Sequence, residues 1–252
     1  MLYSRQVEVE FPKVSHQQGR YYNALWSSSK VVEPSAWALW DTIKAYTVDG
    51  SHFLEIGAGN RPRIPIAGSY FLDLSCSAMA ALNERNGYCT AGSAEALPFP
   101  DDCFDLICAF EIVEHVLDDR SLLLEVRRVL KDGERFVFSV PLHMEYWSGY
   151  DELAGHARRY NPSELESLLA EYGLPIEKYQ VTFSPHNTWY RNASAFLARK
   201  FWRLGVAMEA SVALPVYSWL DRRRGTRWNE GLFAERTRRA NNVIMVCKKE
   251  RG

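Results

Sequence analysis

Apolar positions in this chain follow two rhythms. Short runs rich in apolar and β-branched residues recur at Phe53–Ile56, Tyr70–Leu72, Tyr88–Ala91, Phe104–Phe110, Arg135–Val140, Ile176–Phe183 and Asn242–Cys247. Phe53, Leu54 and Ile56, like Tyr70-Phe71-Leu72, lack clean polar alternation, as strands buried on both faces do. Between the runs, apolar residues stand three and four apart, which predicts helices. Ser35–Tyr46 carries Trp37, Trp40 and Ile43 behind Pro34, a residue suited to a helix start. Ser77–Asn86 carries Met79 and Leu82 among alanines. Ser121–Leu130 is amphipathic, with Leu123, Leu124, Val126, Val129 and Leu130 expected inward, Glu125, Arg127 and Arg128 outward, and Asp132-Gly133 as its stop. Pro162–Tyr172 is a further helix. Strands alternating with helices predict a doubly wound α/β sheet. The tryptophans of Ser35–Tyr46 read as core.

Ligands of such sheets sit beyond the carboxyl ends of the strands, and Gly57, Asp73, Ser93, Phe110 and Pro141 all fall there. The first strand runs into Gly57-Ala58-Gly59, where glycines permit a tight turn and close backbone approach to a ligand. The second closes on Asp73, a carboxylate able to accept hydrogen bonds from ribose hydroxyls. A strand–turn–strand without a ligand has the same pattern, so the glycines alone are a weak signal. Arg61-Pro62-Arg63-Ile64-Pro65 leaves no room for a long helix between these strands, because Pro65 lacks a donor and crowds the preceding turn.

Composition narrows the class. The 252 residues suit one sizeable domain, and 47% apolar with 24% charged residues is ordinary for a soluble globular chain. A net charge of -1 gives no global field towards nucleic acid. Five cysteines without a framework-like spacing point to reduced thiols in the cytoplasm. MLYSRQVEVEF lacks the basic start and apolar core of a signal peptide, and no apolar stretch reaches the ~18 residues of a spanning helix.

The strings LEIGAG, FLDLS, AGSAEALPFPDDCFDLICAFEIVEHVLD and LLLEVRRVLKDGERFVFSVP stand in this order over Ser51–Pro141. They resemble the class I S-adenosylmethionine-dependent methyltransferases, most of all the type 11 group. The resemblance implies a Rossmann-like, mostly parallel seven-stranded sheet with its last strand antiparallel. It implies S-adenosylmethionine as cofactor. Glu55, Ile56, Gly57, Ala58, Gly59 and Asn60 would face its methionine part. Asp73 with Leu74 would hold the ribose, Ser93 and Ala94 the adenine edge, and Phe110 and Glu111 the wall behind the sulfonium. The chain departs from the family pattern at three places: Arg61-Pro62 replaces a third glycine, Ser93 stands where many relatives carry aspartate, and Lys131–Glu134 replaces a Pro-Gly-Gly turn.

Tyr150–Tyr160 is similar to the GH-x-RRY segment of methyltransferases found with bacterial polysaccharide and glycolipid enzymes. One domain is expected: an N-terminal helical or lid-like part over 1–50, with Tyr21, Tyr22 and Trp26; a core over 51–184; a helical insertion over 185–240; and the last strand over 241–252. The insertion mixes aromatic residues such as Trp202 and Trp219 with Arg199, Arg203 and Arg222-Arg223-Arg224. That mixture suits a peripheral membrane contact or a lipid-linked acceptor, and equally a helical cap with a solvated basic edge.

Methyl transfer to oxygen needs positioning and removal of a proton, for which histidine or a carboxylate is suited. Of six histidines, His115 follows the fourth strand and His156 lies in the glycine-histidine segment. These two, with Glu114, are the acceptor-side candidates; His143 follows the fifth strand, and His16, His52 and His186 have weaker positions. If Glu111–His115 were helical, Glu111, Glu114 and His115 would share a face and, with His143 or His156, suit a divalent cation. Similar E-x-x-E-H segments bind metal in some quinone-precursor and small-RNA methyltransferases, while elsewhere the pair only shapes the pocket. Roles without a metal are favoured here. The expected activity is O-methylation of a sugar, glycolipid or other small molecule. The alternatives are metal-assisted methylation of a quinone precursor or RNA end, and a cofactor-binding scaffold without catalysis.

Overall fold

The computed structural model describes residues 16–182 and 226–251. Its frame is a seven-stranded sheet of β1 Phe53–Ile56, β2 Tyr70–Asp73, β3 Tyr88–Ala91, β4 Phe104–Phe110, β5 Leu130–Pro141, β6 Ile176–Thr182 and β7 Asn242–Lys248. The order is β3-β2-β1-β4-β5-β7-β6, and β7 pairs antiparallel with both β5 and β6 while the other pairings are parallel. The strand order therefore reverses between β1 and β4, the place where such sheets open a crevice for ligands.

All four residues of β1 are buried, as are Phe71 and Leu72 of β2, so the short apolar runs do become two-sided core strands. One core packs Leu54, Ile56, Ile107 and Phe138 beneath Leu122, Leu123 and Val126; the other packs Phe53, Phe71, Leu106 and Val137 beneath Ile43, Met79 and Leu82. No helix forms between β1 and β2, in keeping with the prolines there.

Among the described residues the helices are α1 His16–Ser28, α2 Trp40–Tyr46, α3 Cys76–Asn83, α4 Asp119–Val129, α5 Gly149–Ala154, α6 Pro162–Glu171 and the short α7 Phe233–Arg236. Three expectations change. The predicted Ser35–Tyr46 helix is a 3₁₀ turn at Pro34–Ala36 followed by α2, with Trp37 leaving helical geometry and burying its ring between them. Helix α4 begins at the Asp118 cap and so includes Leu122; its buried stripe is Leu122, Leu123, Val126 and Val129, and Leu124 is 54% exposed. Residues Lys131–Glu134 are not a loop after α4: they belong to β5, where Gly133 (φ 80°) lies in a register shift against Phe104 and Leu106.

Most of the expected insertion, including Trp202, Trp219 and Arg222-Arg223-Arg224, lies outside the described residues. Its described end returns through α7, whose buried Phe233 meets the Tyr179 ring edge-on at 5.0 Å. Among the described residues no helix is long and apolar enough to cross a membrane.

Candidate active site

The turn after β1 adopts the left-handed backbone that favours glycine, with φ 71° at Gly57 and 53° at Gly59. Gly57 N–H donates to the Leu72 carbonyl at 2.7 Å, which holds the turn against β2. A Cβ at Gly57 would fall 2.0 Å from Ile112 Cδ1, and one at Gly59 2.4 Å from the Trp26 ring. Asp73 ends β2 beside this turn, its carboxylate accepting from Gly59 N–H at 3.0 Å and Ser75 N–H at 2.8 Å. Burial raises the Asp73 carboxyl above its ordinary value, while these backbone donors pull it down. A left-handed glycine turn, packed beneath Ile112 and Trp26 and beside a carboxylate fixed by backbone donors at the end of β2, stands where a nucleoside-bearing cofactor binds in such sheets.

The other residues expected at the cofactor are distributed differently. Glu55, 2% exposed, turns its carboxylate to the β1–β2 crossover, accepting from Arg63 N–H at 2.7 Å and Ile64 N–H at 3.2 Å. Burial lifts its carboxyl to about 7. Ile56 and Ala58 are buried. Asn60 donates through Nδ2 to the carbonyls of Trp26 at 2.7 Å and Ser29 at 2.8 Å, holding the end of α1. Leu74 is 43% exposed just beyond β2. Ser93 Oγ caps Glu95 N–H and donates to the Glu95 carboxylate, both at 3.2 Å, while Ala94 is buried behind it. Phe110 faces the Arg63 guanidinium at 5.5 Å, whose other side lies 3.4 Å from the Trp37 ring centroid.

Glu111 does not share a helical face with Glu114 and His115. Its φ is 55°, and only Val113–His115 forms a 3₁₀ turn. The backbone reversal sends the Glu111 carboxylate to Ser139 Oγ at 2.6 Å and Asn242 Nδ2 at 2.9 Å. His156 takes the place beside the pair instead. The His115 and His156 rings meet edge-on with centroids 4.7 Å apart, and Glu114 Oε1 lies 3.8 Å from His156 Nε2. His143 stays apart, its Nε2 donating to the Thr237 carbonyl at 3.0 Å. His52 packs on Tyr70, and His186 lies outside the described residues.

Each imidazole is oriented through Nδ1. His115 Nδ1 faces the Gly155 carbonyl at 3.3 Å; a carbonyl only accepts, so Nδ1 carries the proton. Burial and the neighbouring His156 lower the His115 pKa to about 3, so the ring is neutral at physiological pH. His156 Nδ1 donates to Asp151 at 3.0 Å. Asp151 is wholly buried and accepts further from Arg159 Nε and from Ser148 N–H and Oγ, each at 2.8 Å. The left-handed Gly155 (φ 82°) that ends α5 is what folds His156 back beside Asp151. Asp151 was not singled out from sequence; its spacing of five before His156, across a helix-ending glycine, was the available signal.

Helix α1 joins the two halves. Trp26 lies on Gly59; one turn earlier Tyr22 stacks with Trp26 at 6.3 Å, meets His115 edge-on at 6.1 Å and donates to the Ala154 carbonyl at 3.1 Å. Asn23 accepts from Ser75 Oγ at 2.9 Å.

Comparison with known proteins bears on the family and the fold. Residues 54–138 match the family model described as "Methyltransferase domain". The chain is 33% identical over 88 residues to a probable S-adenosylmethionine-dependent methyltransferase of Mycolicibacterium smegmatis, covering 34% of each. It is 36% identical over 83 residues to the demethylmenaquinone methyltransferase of Mycobacterium marinum, covering 32% of this chain and 36% of that one. The YcgJ protein of Bacillus subtilis, an uncharacterized methyltransferase, is 36% identical over 100 residues, 39% of each chain. Its crystal structure superposes with a TM-score of 0.55 at 20% identity, covering 85% of this chain and 99% of that one, a likeness of fold. The matched stretch thus spans about a third of the length of these curated relatives.

Proposed function

We propose that this chain, a class I methyltransferase of the type 11 group by its residues 54–138, transfers a methyl group from S-adenosylmethionine to an oxygen of a sugar, glycolipid or other small molecule. The observation that carries the reading is the adjacency, across α1, of the Gly57–Asp73 cradle and the Glu114–His115–His156 group. When bound, the cofactor supplies an electrophilic methyl on a sulfonium. The chain's part is to hold and orient. Gly57 and Gly59 give the turn its left-handed backbone beneath Ile112 and Trp26, and Asp73 offers a fixed acceptor to ribose hydroxyls. Ile112, packed on Gly57, leads directly into the turn bearing Glu114 and His115. An acceptor hydroxyl delivered there meets the His156 Nε2 lone pair as its proton is drawn off, with neutral His115 beside it as a positioning acceptor. Similarity to the demethylmenaquinone methyltransferase of M. marinum favours a second reading, in which the acceptor is a quinone precursor.

Calorimetry with S-adenosylhomocysteine tests the cofactor assignment. Asp73→Asn and Gly57→Val are expected to weaken binding roughly 10- to 150-fold, the equivalent of about 1.5–3 kcal/mol for lost charge-assisted bonds. Unchanged affinity in folded Asp73→Asn would refute it. A screen of sugar, lipid-linked and quinol acceptors with the unaltered chain then separates the two readings by product.

A further inference from the structure

Both imidazoles of the acceptor-side group present the same unused atom. Their Nδ1 positions are committed, one to the Gly155 carbonyl and one to Asp151, which leaves each Nε2 with its lone pair free of a hydrogen bond. Histidines that bind metals are held in this way, with the second nitrogen on a carbonyl or carboxylate that fixes ring and tautomer. Glu114 is the third member. It is fully buried, and neither of its carboxylate oxygens has a hydrogen-bond partner. A buried polar group left unpaired needs a physical explanation. One ligand atom from each of Glu114, His115 and His156 lies within 4.8 Å of the other two.

We infer that Glu114, His115 and His156 bind one divalent transition-metal cation. Two imidazoles and a carboxylate suit Zn²⁺, Mn²⁺, Fe²⁺ or Co²⁺ better than the all-oxygen shells of Mg²⁺ or Ca²⁺. Three protein ligands leave a coordination position open, as in catalytic sites. The donor set differs from the one weighed on sequence: Glu111 is engaged by Ser139 and Asn242, and His156 comes from a distant segment. The inference rests on the proposed methyl transfer and deepens it. With both Nε2 lone pairs on the cation the rings would no longer take the acceptor's proton: the cation would bind the acceptor's oxygen and lower its pKa, the proton would pass to water, and the oxygen would attack the methyl as its bond to sulfur breaks. A vicinal diol or a catechol, whose adjacent oxygens can bind one cation as its coordination expands beyond four, is the class such a site selects.

The test uses the full chain, stripped with chelator and titrated with Co²⁺. Expected are one equivalent bound and a visible d–d spectrum without thiolate charge transfer, with Glu114→Gln and His156→Gln each weakening binding at least roughly 10-fold. No Co²⁺ or Mn²⁺ binding by folded protein up to about 1 mM would overturn the site. So would unchanged affinity in folded variants. If the variants do not fold, the unaltered chain decides: Co²⁺ must displace the His115 and His156 ring proton resonances, and unmoved resonances refute the site. S-adenosylhomocysteine binding is measured separately. Cofactor binding without metal binding overturns this inference alone, and metal binding without cofactor binding overturns the methyl-transfer reading on which it rests.

Discussion

Glu55 occupies the centre of the sheet with a carboxyl raised by burial from 4.5 to about 7. The sign follows from proton counting. Between those values the folded chain keeps a proton that the unfolded chain has released, so this group makes stability fall as pH rises through the window. Above about 7 the loss is complete, on the order of 3 kcal/mol at ~1.4 kcal/mol per pH unit. A glutamine retains an oxygen for Arg63 N–H and Ile64 N–H and has no charge to bury. Glu55→Gln is therefore expected to flatten the urea-unfolding profile between pH 5 and 8 and to be the more stable protein at pH 8. A variant less stable than the parent at pH 8 would show that the charge itself, opposite Arg63, is favourable. The residue was read from the LEIGAG string as facing the cofactor; its side chain instead fastens the proline-rich crossover that stands where many such folds have a helix.

At the scale of elements, several of the contacts that hold the described part of α1 lie at the site. Asn60 takes two of its carbonyls, Asn23 meets Ser75, Tyr22 reaches Ala154, and the Trp26 ring rests on Gly59. Removing the Asn60 amide leaves those carbonyls without their donor, at about 1 kcal/mol for each bond. Asn60→Ala is expected to accelerate amide hydrogen exchange across residues 22–28 by roughly 10-fold or more, with exchange in β4 and β5 unchanged. Equal protection of 22–28 in variant and parent would mean that the aromatic contacts alone dock the helix. A Tyr22–Trp26 pair one turn apart was legible as a packed or lid-like segment. What it packs against was not, because a helical stripe specifies a face and not the partner of that face.

For the molecule as a whole, the strand-end edge gathers the glycine turn, Asp73 and the imidazole pair, and the chain between β6 and β7 carries the basic and aromatic residues that no cofactor signal claims. Our reading is that this segment recognises the acceptor. Arg222-Arg223-Arg224 changed to alanines is then expected to spare S-adenosylhomocysteine affinity. With a lipid-linked acceptor, binding to anionic vesicles falls, and most at low salt where exposed charges act furthest. With a soluble phosphorylated or carboxylated acceptor, the KM rises and vesicles are not bound. A triple variant equal to the parent in cofactor binding, vesicle binding and KM would leave the segment a structural cap.

The seven strands and the residues at their ends were determined by the sequence itself. Burial on both faces makes β1, β4 and β7 largely apolar runs, and the prolines between Gly59 and Asp73 leave no room for a long helix. The start of α4 was less legible: the helix begins at Asp119 and takes in Leu122, which fills the buried stripe on the side away from Leu124. Tertiary structure alone decided the rest. His115 and His156 are forty-one positions apart in the chain, and they meet because β4 and β5 are parallel neighbours and Gly155 folds the following segment back over their ends. Glu111 left the group through one reversed φ, and Glu55 turned away because the crossover offered it two backbone donors. Periodicity records which face of an element is apolar. Which polar side chains converge depends on how distant elements pack, and no local pattern carries that information.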